Sequence, residues 1–215
     1  MIDITTIQPI KKGDTKMITS AVTLSFPYLS KKNTSGEFPS NKYEANFAFS
    51  KLNKPLYDMI TDCMKAAIEQ GNNDQNCWGK KGRPEGAQFI YCVRPDKYAK
   101  GEDDQEDPNG LMLKATTKYP PALLDAGNNL VPAEEVDEVF YSGAIVRCQV
   151  EFFPWIRGGK GGISAQLSVV QKLAEGKHLG GKSYDEDDFA IAGAGAVSAD
   201  GAIPEGADVA NDLPF

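Results

Sequence analysis

Histidine and paired cysteines are what this sequence most lacks. His178 stands alone, and Cys63, Cys77, Cys92 and Cys148 form neither a C-x-x-C pair nor any other metal-ligand spacing. A structural zinc site takes about four thiolate or imidazole ligands, so no metal is expected, and no cofactor. The first residues show no signal-peptide pattern, and scattered single thiols then read as reduced, cytosolic cysteines. No apolar run approaches the length of a membrane span. A serine nucleophile needs a base, and His178 sits in a Gly/Lys-rich stretch. The tract Gly158, Gly159, Lys160, Gly161, Gly162 fails as a nucleotide loop. That motif requires GxxxxGK followed by Ser or Thr, between strand and helix, whereas extended sequence follows here. Metal-dependent nuclease chemistry would have to rely on the acids at 102–107 and 185–188, runs that would not hold ions rigidly. No enzymatic activity is expected.

Positive charge is absent from the last 33 residues. Residues 1–182 hold all 23 lysines and arginines and 22 of the 30 acids, a net charge of +1; residues 183–215 hold the other eight acids. The overall charge of -7 is therefore a poor guide to the surface of the folded part. Five more acids lie in one short run, Glu102, Asp103, Asp104, Glu106 and Asp107, read as a solvated loop. The body can be cationic while its appendages are anionic. The Ala/Gly-rich end has too few apolar residues to offset the entropy of ordering it. The expected organisation is one folded domain over 1–182 and a disordered acidic tail over 183–215.

Period-two alternation recurs through the body. It marks a first strand near 18–26, terminated by Pro27, Tyr28 and Leu29, and a second in which Tyr43, Ala45, Phe47 and Phe49 alternate with Lys42, Glu44, Asn46 and Ala48. Short strands follow at 89–93 and 111–116. Between Lys54 and Gly71 the apolar residues Leu56, Met59, Ile60, Cys63 and Ala67 fall at helical spacing, with Asn53 as a cap, Pro55 in the first turn and Gly71 at the end. A further short turn or helix is expected after Pro132. Several strands with one clear helix make a mainly β domain, a small barrel or a sandwich.

The segment 141–172 reads as two strands joined by a basic, glycine-rich connection. Val146, Cys148, Val150 and Phe152 form one apolar face. The other carries Arg147 and Gln149, then Phe153 and Trp155, and leads to Arg157 and Lys160. Aromatics and cations on one sheet face suit the stacking of bases and the neutralising of phosphates, although any half-buried hairpin shows the same alternation. Trp78, Lys80, Lys81 and Arg83 lie between glycines. They are either an exposed loop with Trp78 folded back as an anchor, or a mobile arm that stacks on a base. The final residues Asp212, Leu213, Pro214 and Phe215 are either a frayed end or an anionic, aromatic docking peptide for a partner protein.

These residues carry a resemblance. LSFPYL at 24–29, YEANFAF at 43–49, YSGAIVRCQVEFFPW at 141–155, GGKGGISAQLSVVQK at 158–172 and LGG at 179–181 resemble the bacteriophage single-stranded-DNA-binding proteins of the OB-fold type. The resemblance implies an OB-fold-like five-stranded barrel with extra strands and one helix. It implies binding of single-stranded DNA without sequence specificity in phage replication and recombination, in the host cytoplasm, and self-association as a homodimer. The implied DNA surface is Arg147, Phe153, Trp155, Arg157 and Lys160, joined by Tyr28 and Lys31. Trp78, Lys80, Lys81 and Arg83 rest on the local argument alone. The DLPF end resembles the tails by which such proteins recruit replication or recombination enzymes. The competing expectation is a structural or protein-interaction module of a virion or assembly complex. The chain departs from the family in its long Ala/Gly tail, and from a plain OB barrel in its length.

Overall fold

Every segment with sustained alternation becomes a strand. The computed structural model describes residues 3–35, 39–80, 82–97, 99 and 107–179. In chain order the strands are β1 (Ile10–Lys11), β2 (Lys16–Ile18), β3 (Val22–Tyr28), β4 (Tyr43–Ser50), β5 (Phe89–Ile90), β6 (Val93–Pro95), β7 (Gly110–Thr117), β8 (Ala122–Leu124), β9 (Ile145–Arg157) and β10 (Lys160–Ala174). The main helix is α1 (Lys54–Asn73); α2 (Val136–Val139) is a single turn continuing a 3-10 turn at Ala133–Glu135.

Five strands close a ring. β3 pairs antiparallel with β4, and β4 with β7. β7 then pairs parallel with β10 at Ala115↔Ala165 and Thr116↔Gln166. β10 returns antiparallel on β9, and β9 closes onto β3 at Val146↔Val22. Closure removes the open edges that would otherwise need covering. The interior is the apolar half of each alternation: Leu24, Ala45, Phe47, Leu113, Ala115, Val146, Cys148, Val150, Phe152, Ile163, Ala165 and Leu167, all buried. Full burial of each large apolar side chain is worth about 1.5–3 kcal/mol. This is the five-stranded OB-type barrel, with β1, β2, β5, β6 and β8 added outside the ring.

Helix α1 buries Leu56, Ile60, Cys63, Ala67 and Gly71 and lies against β9 and β2. Asn53 caps it as expected, its side chain accepting from the Leu56 N–H. The helix runs past Gly71 to Asn73, so Gly71 is not its end. Glycine is required there for another reason: a Cβ would sit 2.5 Å from two ring carbons of Trp78 and 2.8 Å from Pro154. Gly71→Ala should therefore lower stability by about 1–2 kcal/mol. Overpacking costs roughly 1–3 kcal/mol and outweighs the ~1 kcal/mol of helix propensity gained. The urea midpoint checks it.

Three local expectations change. The first strand is not ended by Pro27. It passes through a register shift between Ser25 and Tyr28, with Phe26 at φ 46, and continues to Tyr28. Tyr91 and Cys92 interrupt the strand expected at 89–93, leaving β5 and β6 as separate pieces. The glycine-rich connection is shorter than the glycine tract. β9 continues through Pro154 to Arg157, and the turn is only Gly158–Gly159, at φ 56 and 79. Positive φ at both central residues is what a tight hairpin with native twist demands. Residues 183–215 and 102–106 lie outside the described residues.

Candidate nucleic-acid interface

The outward faces of β9 and β10 carry the predicted rings and cations together. Cross-strand partners run Arg157↔Lys160, Trp155↔Gly162 and Phe153↔Ser164. Arg157 and Lys160 are exposed at the hairpin tip, Phe153 is at the surface and Trp155 is half-buried. Gly162, opposite Trp155, has no room for a side chain, since a Cβ would meet the Ile90 carbonyl oxygen. Parallel pairing of β5 with β10 at Phe89↔Gly161 and Ile90↔Gly162 brings that backbone in. Half of the glycine tract thus serves close strand packing.

Beside this hairpin lies a groove of about 260 Å³, lined by Lys42, Ile90, Tyr91, Cys92, Arg94, Lys114, Thr116, Trp155, Ile163, Ser164 and Ala165. It lies over the outward side of β7 and reaches Lys42 just before β4, on the barrel face on which OB folds take oligonucleotides. Tyr91 is 49% exposed and stands edge-on to Phe89 at 4.8 Å, and Phe89 in turn packs on Trp78 at 5.3 Å. The exposed ring is thereby braced by a buried one. The Trp155 indole N–H is buried and has no hydrogen-bond partner among the described residues. A buried unsatisfied donor costs about 1–3 kcal/mol, a debt that a ligand acceptor would cancel.

Charge in the groove is positive on balance. Lys114 pairs with Glu44 at 3.1 Å, and the Asn33 amide donates to the same carboxylate at 2.9 Å. Burial pushes the Glu44 carboxyl up, but hydrogen bonds from Asn33, Ser40 and Lys114 and the Lys114 charge outweigh it and hold it below 4.5. Lys42 and Arg94 make no ion pair among the described residues. The Arg94 guanidinium donates to the Met112 sulfur at 3.9 Å. The Cys92 thiol in the groove wall is pushed up to about 12 by burial and stays neutral. No group of three or more His, Cys, Asp or Glu side chains among the described residues is placed to hold a metal ion.

The other predicted residues divide. Trp78 is 1% exposed, its N–H donating to the Trp155 carbonyl at 3.3 Å. The anchor alternative holds, and the mobile base-stacking arm does not, because the ring fills the space left by Gly71. Lys80 and Arg83 are exposed, and Arg83 lies over the Phe89 ring at 5.3 Å. The Pro84 ring is next to Gly161, so Arg83 borders the hairpin tip. Lys81 lies outside the described residues, as do Asp212, Leu213, Pro214 and Phe215. Arg147 stands apart from the groove. It shares the outward parity of Trp155 but is eight positions away on β9, roughly 26 Å by strand rise. Its Nε donates to Gln171 at 2.7 Å, and Gln171 is tied in turn to the Asp125 carbonyl. Tyr28 is half-buried and pairs with Glu44 at the rim of β4, and Lys31 is exposed in the loop beyond.

Lys42, Tyr91, Arg94 and Lys114 were not singled out from the sequence. Two of them had a legible signal. Lys114 occupies the polar half of the alternation in the third barrel strand, and Lys42 continues that of the second from the position just before it, the face an OB barrel presents to its ligand. Tyr91 and Arg94 reach the groove only through the pairing of β5 with β10 and β6 with β7.

Comparison with known proteins agrees with this architecture. The structure of the single-stranded-DNA-binding protein from bacteriophage Enc34, in complex with ssDNA, superposes with a TM-score of 0.59 at 20% identity, over 81% of this chain and 99% of that one. Its C-terminal truncation superposes at 0.60 with 17% identity, over 81% and 99%. The bacteriophage T7 single-stranded-DNA-binding protein gp2.5 superposes at 0.50 with 12% identity, over 81% and 98%. Among curated protein sequences nothing matches. A family model described as the Enterobacter phage Enc34 ssDNA-binding protein matches residues 15–201, and the chain belongs to that family.

Proposed function

We propose that this protein binds single-stranded DNA without sequence preference, through the groove and the tip of the β9–β10 hairpin, in phage DNA replication and recombination. The observation that carries this is the juxtaposition of Trp155 and Tyr91 with Lys42, Arg94 and Lys114 in one groove on the β4–β7 face. Rings stack on any base, so the contact is tolerant of sequence. Cations set the backbone path, so binding weakens as salt rises. Membership in the Enc34 family supports the reading, as does the OB barrel shared with solved phage proteins whose names state single-stranded-DNA binding. The role is binding rather than catalysis, and the place of action is the host cytoplasm, with self-association as a homodimer.

The acidic residues 183–215 act as an anionic segment. Asp212, Leu213, Pro214 and Phe215 at its end dock on replication or recombination enzymes, and the segment competes with DNA for the cationic face. Removing 183–215 should tighten binding to short oligonucleotides and abolish partner recruitment; no change in either would refute the tail's role.

The deciding experiment for the groove is a tryptophan-fluorescence titration at low salt with single- and double-stranded oligonucleotides, together with retention on single-stranded-DNA cellulose. Quenching by single strands and elution by salt are expected. Unchanged fluorescence with no retention would overturn the function, and retention separates this reading from a structural module of a virion.

A further inference from the structure

Past the groove, the strands β4 and β7 end in an arrangement of which the groove uses only Lys42. Their last paired residues are Tyr43 and Thr117. The next positions on the two chains are Lys42 and Lys118, so two lysines follow one another across the strand ends with no acid between them. Both lie just beyond the end of the ladder, and neither has an ion pair among the described residues. Glu44, the nearest acid on β4, is already committed to Lys114 and Asn33. A third lysine, Lys32, stands over the Tyr43 ring at 5.9 Å.

Tyr119 follows at once and is 77% exposed. A single exposed ring is ordinary; its mounting here is not. Its N–H donates to the Thr117 hydroxyl at 3.3 Å. Pro120 restricts it to extended backbone, and Pro121 behind it is buried. The base of the segment is thus pinned while the ring is held in water.

We propose that Lys118 and Tyr119, with Lys32 and Lys42, form a second subsite for the bound strand, in which the lysines take a phosphate and Tyr119 stacks on a base. The proposal rests on the groove being a single-strand site. Lys42 lines that groove, so the two subsites are contiguous, and the hairpin tip with Arg157 and Lys160 closes the other end. Along β10, the stretch from Lys160 to Gln166, which pairs with Thr116, spans roughly 20 Å by strand rise. A very short oligonucleotide can occupy the groove alone, whereas a longer one reaches Tyr119.

The test compares the full-length protein with Lys118→Gln/Tyr119→Ala on oligo-dT of about 4 and about 12 nucleotides, lengths within the span seen for OB folds. The double variant should bind the short oligonucleotide as the unaltered protein does and the long one about tenfold or more weaker. Tyr119→Phe should keep long-oligonucleotide affinity, because it keeps the ring. An equal loss on both lengths, or no loss on the long one while the unaltered protein binds it, overturns the second subsite. Failure of the unaltered protein to bind either length overturns the groove reading as well. A urea midpoint shared by all variants shows that the differences arise in binding.

Discussion

Replacing Trp155 with alanine should weaken single-stranded-DNA binding about 5- to 150-fold. A base–aromatic stack is worth roughly 1–3 kcal/mol, and each 1.4 kcal/mol is about tenfold in affinity. Trp155 sits in the groove wall among Arg94, Lys114 and Tyr91, and its indole N–H is without a partner among the described residues. Alanine therefore removes both the stacking face and a donor. Trp155→Phe should recover most of the affinity, since it restores the face and lacks only the donor. The same variants report on themselves spectroscopically. Trp78 is sealed behind Gly71 and Phe89, so Trp155→Ala should abolish DNA-dependent quenching while leaving the Trp78 emission. Quenching that survives in Trp155→Ala would place the DNA elsewhere.

The second large effect is electrostatic. For single strands the slope of log affinity against log salt is about -0.7 per phosphate neutralised. Lys42, Arg94, Arg157 and Lys160 line the groove or stand exposed at the hairpin tip. Replacing all four by glutamine should flatten the slope by up to about 2.8, if each meets one phosphate. Counterion release then implies a loss on the order of 10³-fold near ~50 mM salt, shrinking to under about tenfold near ~0.5 M. Lys114 is left intact because its loss would strand the buried Glu44 carboxylate, a cost to folding that would confuse the measurement. Affinities measured across that salt range decide the matter. An unchanged slope would mean that these side chains meet no phosphates, whatever the affinity does.

Trp155 and Trp78 show what could and could not be read in advance. Both are aromatics near glycines and cations, and local composition does not separate them. Trp155 belongs to a long alternation, so its outward parity was legible. Trp78 lies in a segment with no periodicity, and its burial depends on a gap in α1 that only the packed structure creates. Gly71 looked like a helix end for the same reason: glycine is used both for stopping a helix and for admitting a ring. Arg147 shows the opposite limit. Parity placed it correctly on the outward face, but parity says nothing about distance along a strand, and β9 is long enough to carry it out of the groove.

Residue order by itself determined the barrel's inward face, because period-two alternation and burial are both local consequences of strand geometry, and it determined the segregation of acid into residues 183–215. The groove was decided by tertiary structure. Its walls come from β7, β9 and β10, from Lys42 just before β4, and from β5, β6 and the two residues between them. These pieces are far apart in the chain and meet only because the ring closes through a parallel pairing, for which no local signal exists. Which cations are available to a ligand was decided there too, since a lysine beside a buried carboxylate and a lysine without an ion pair look alike until the strands are in register.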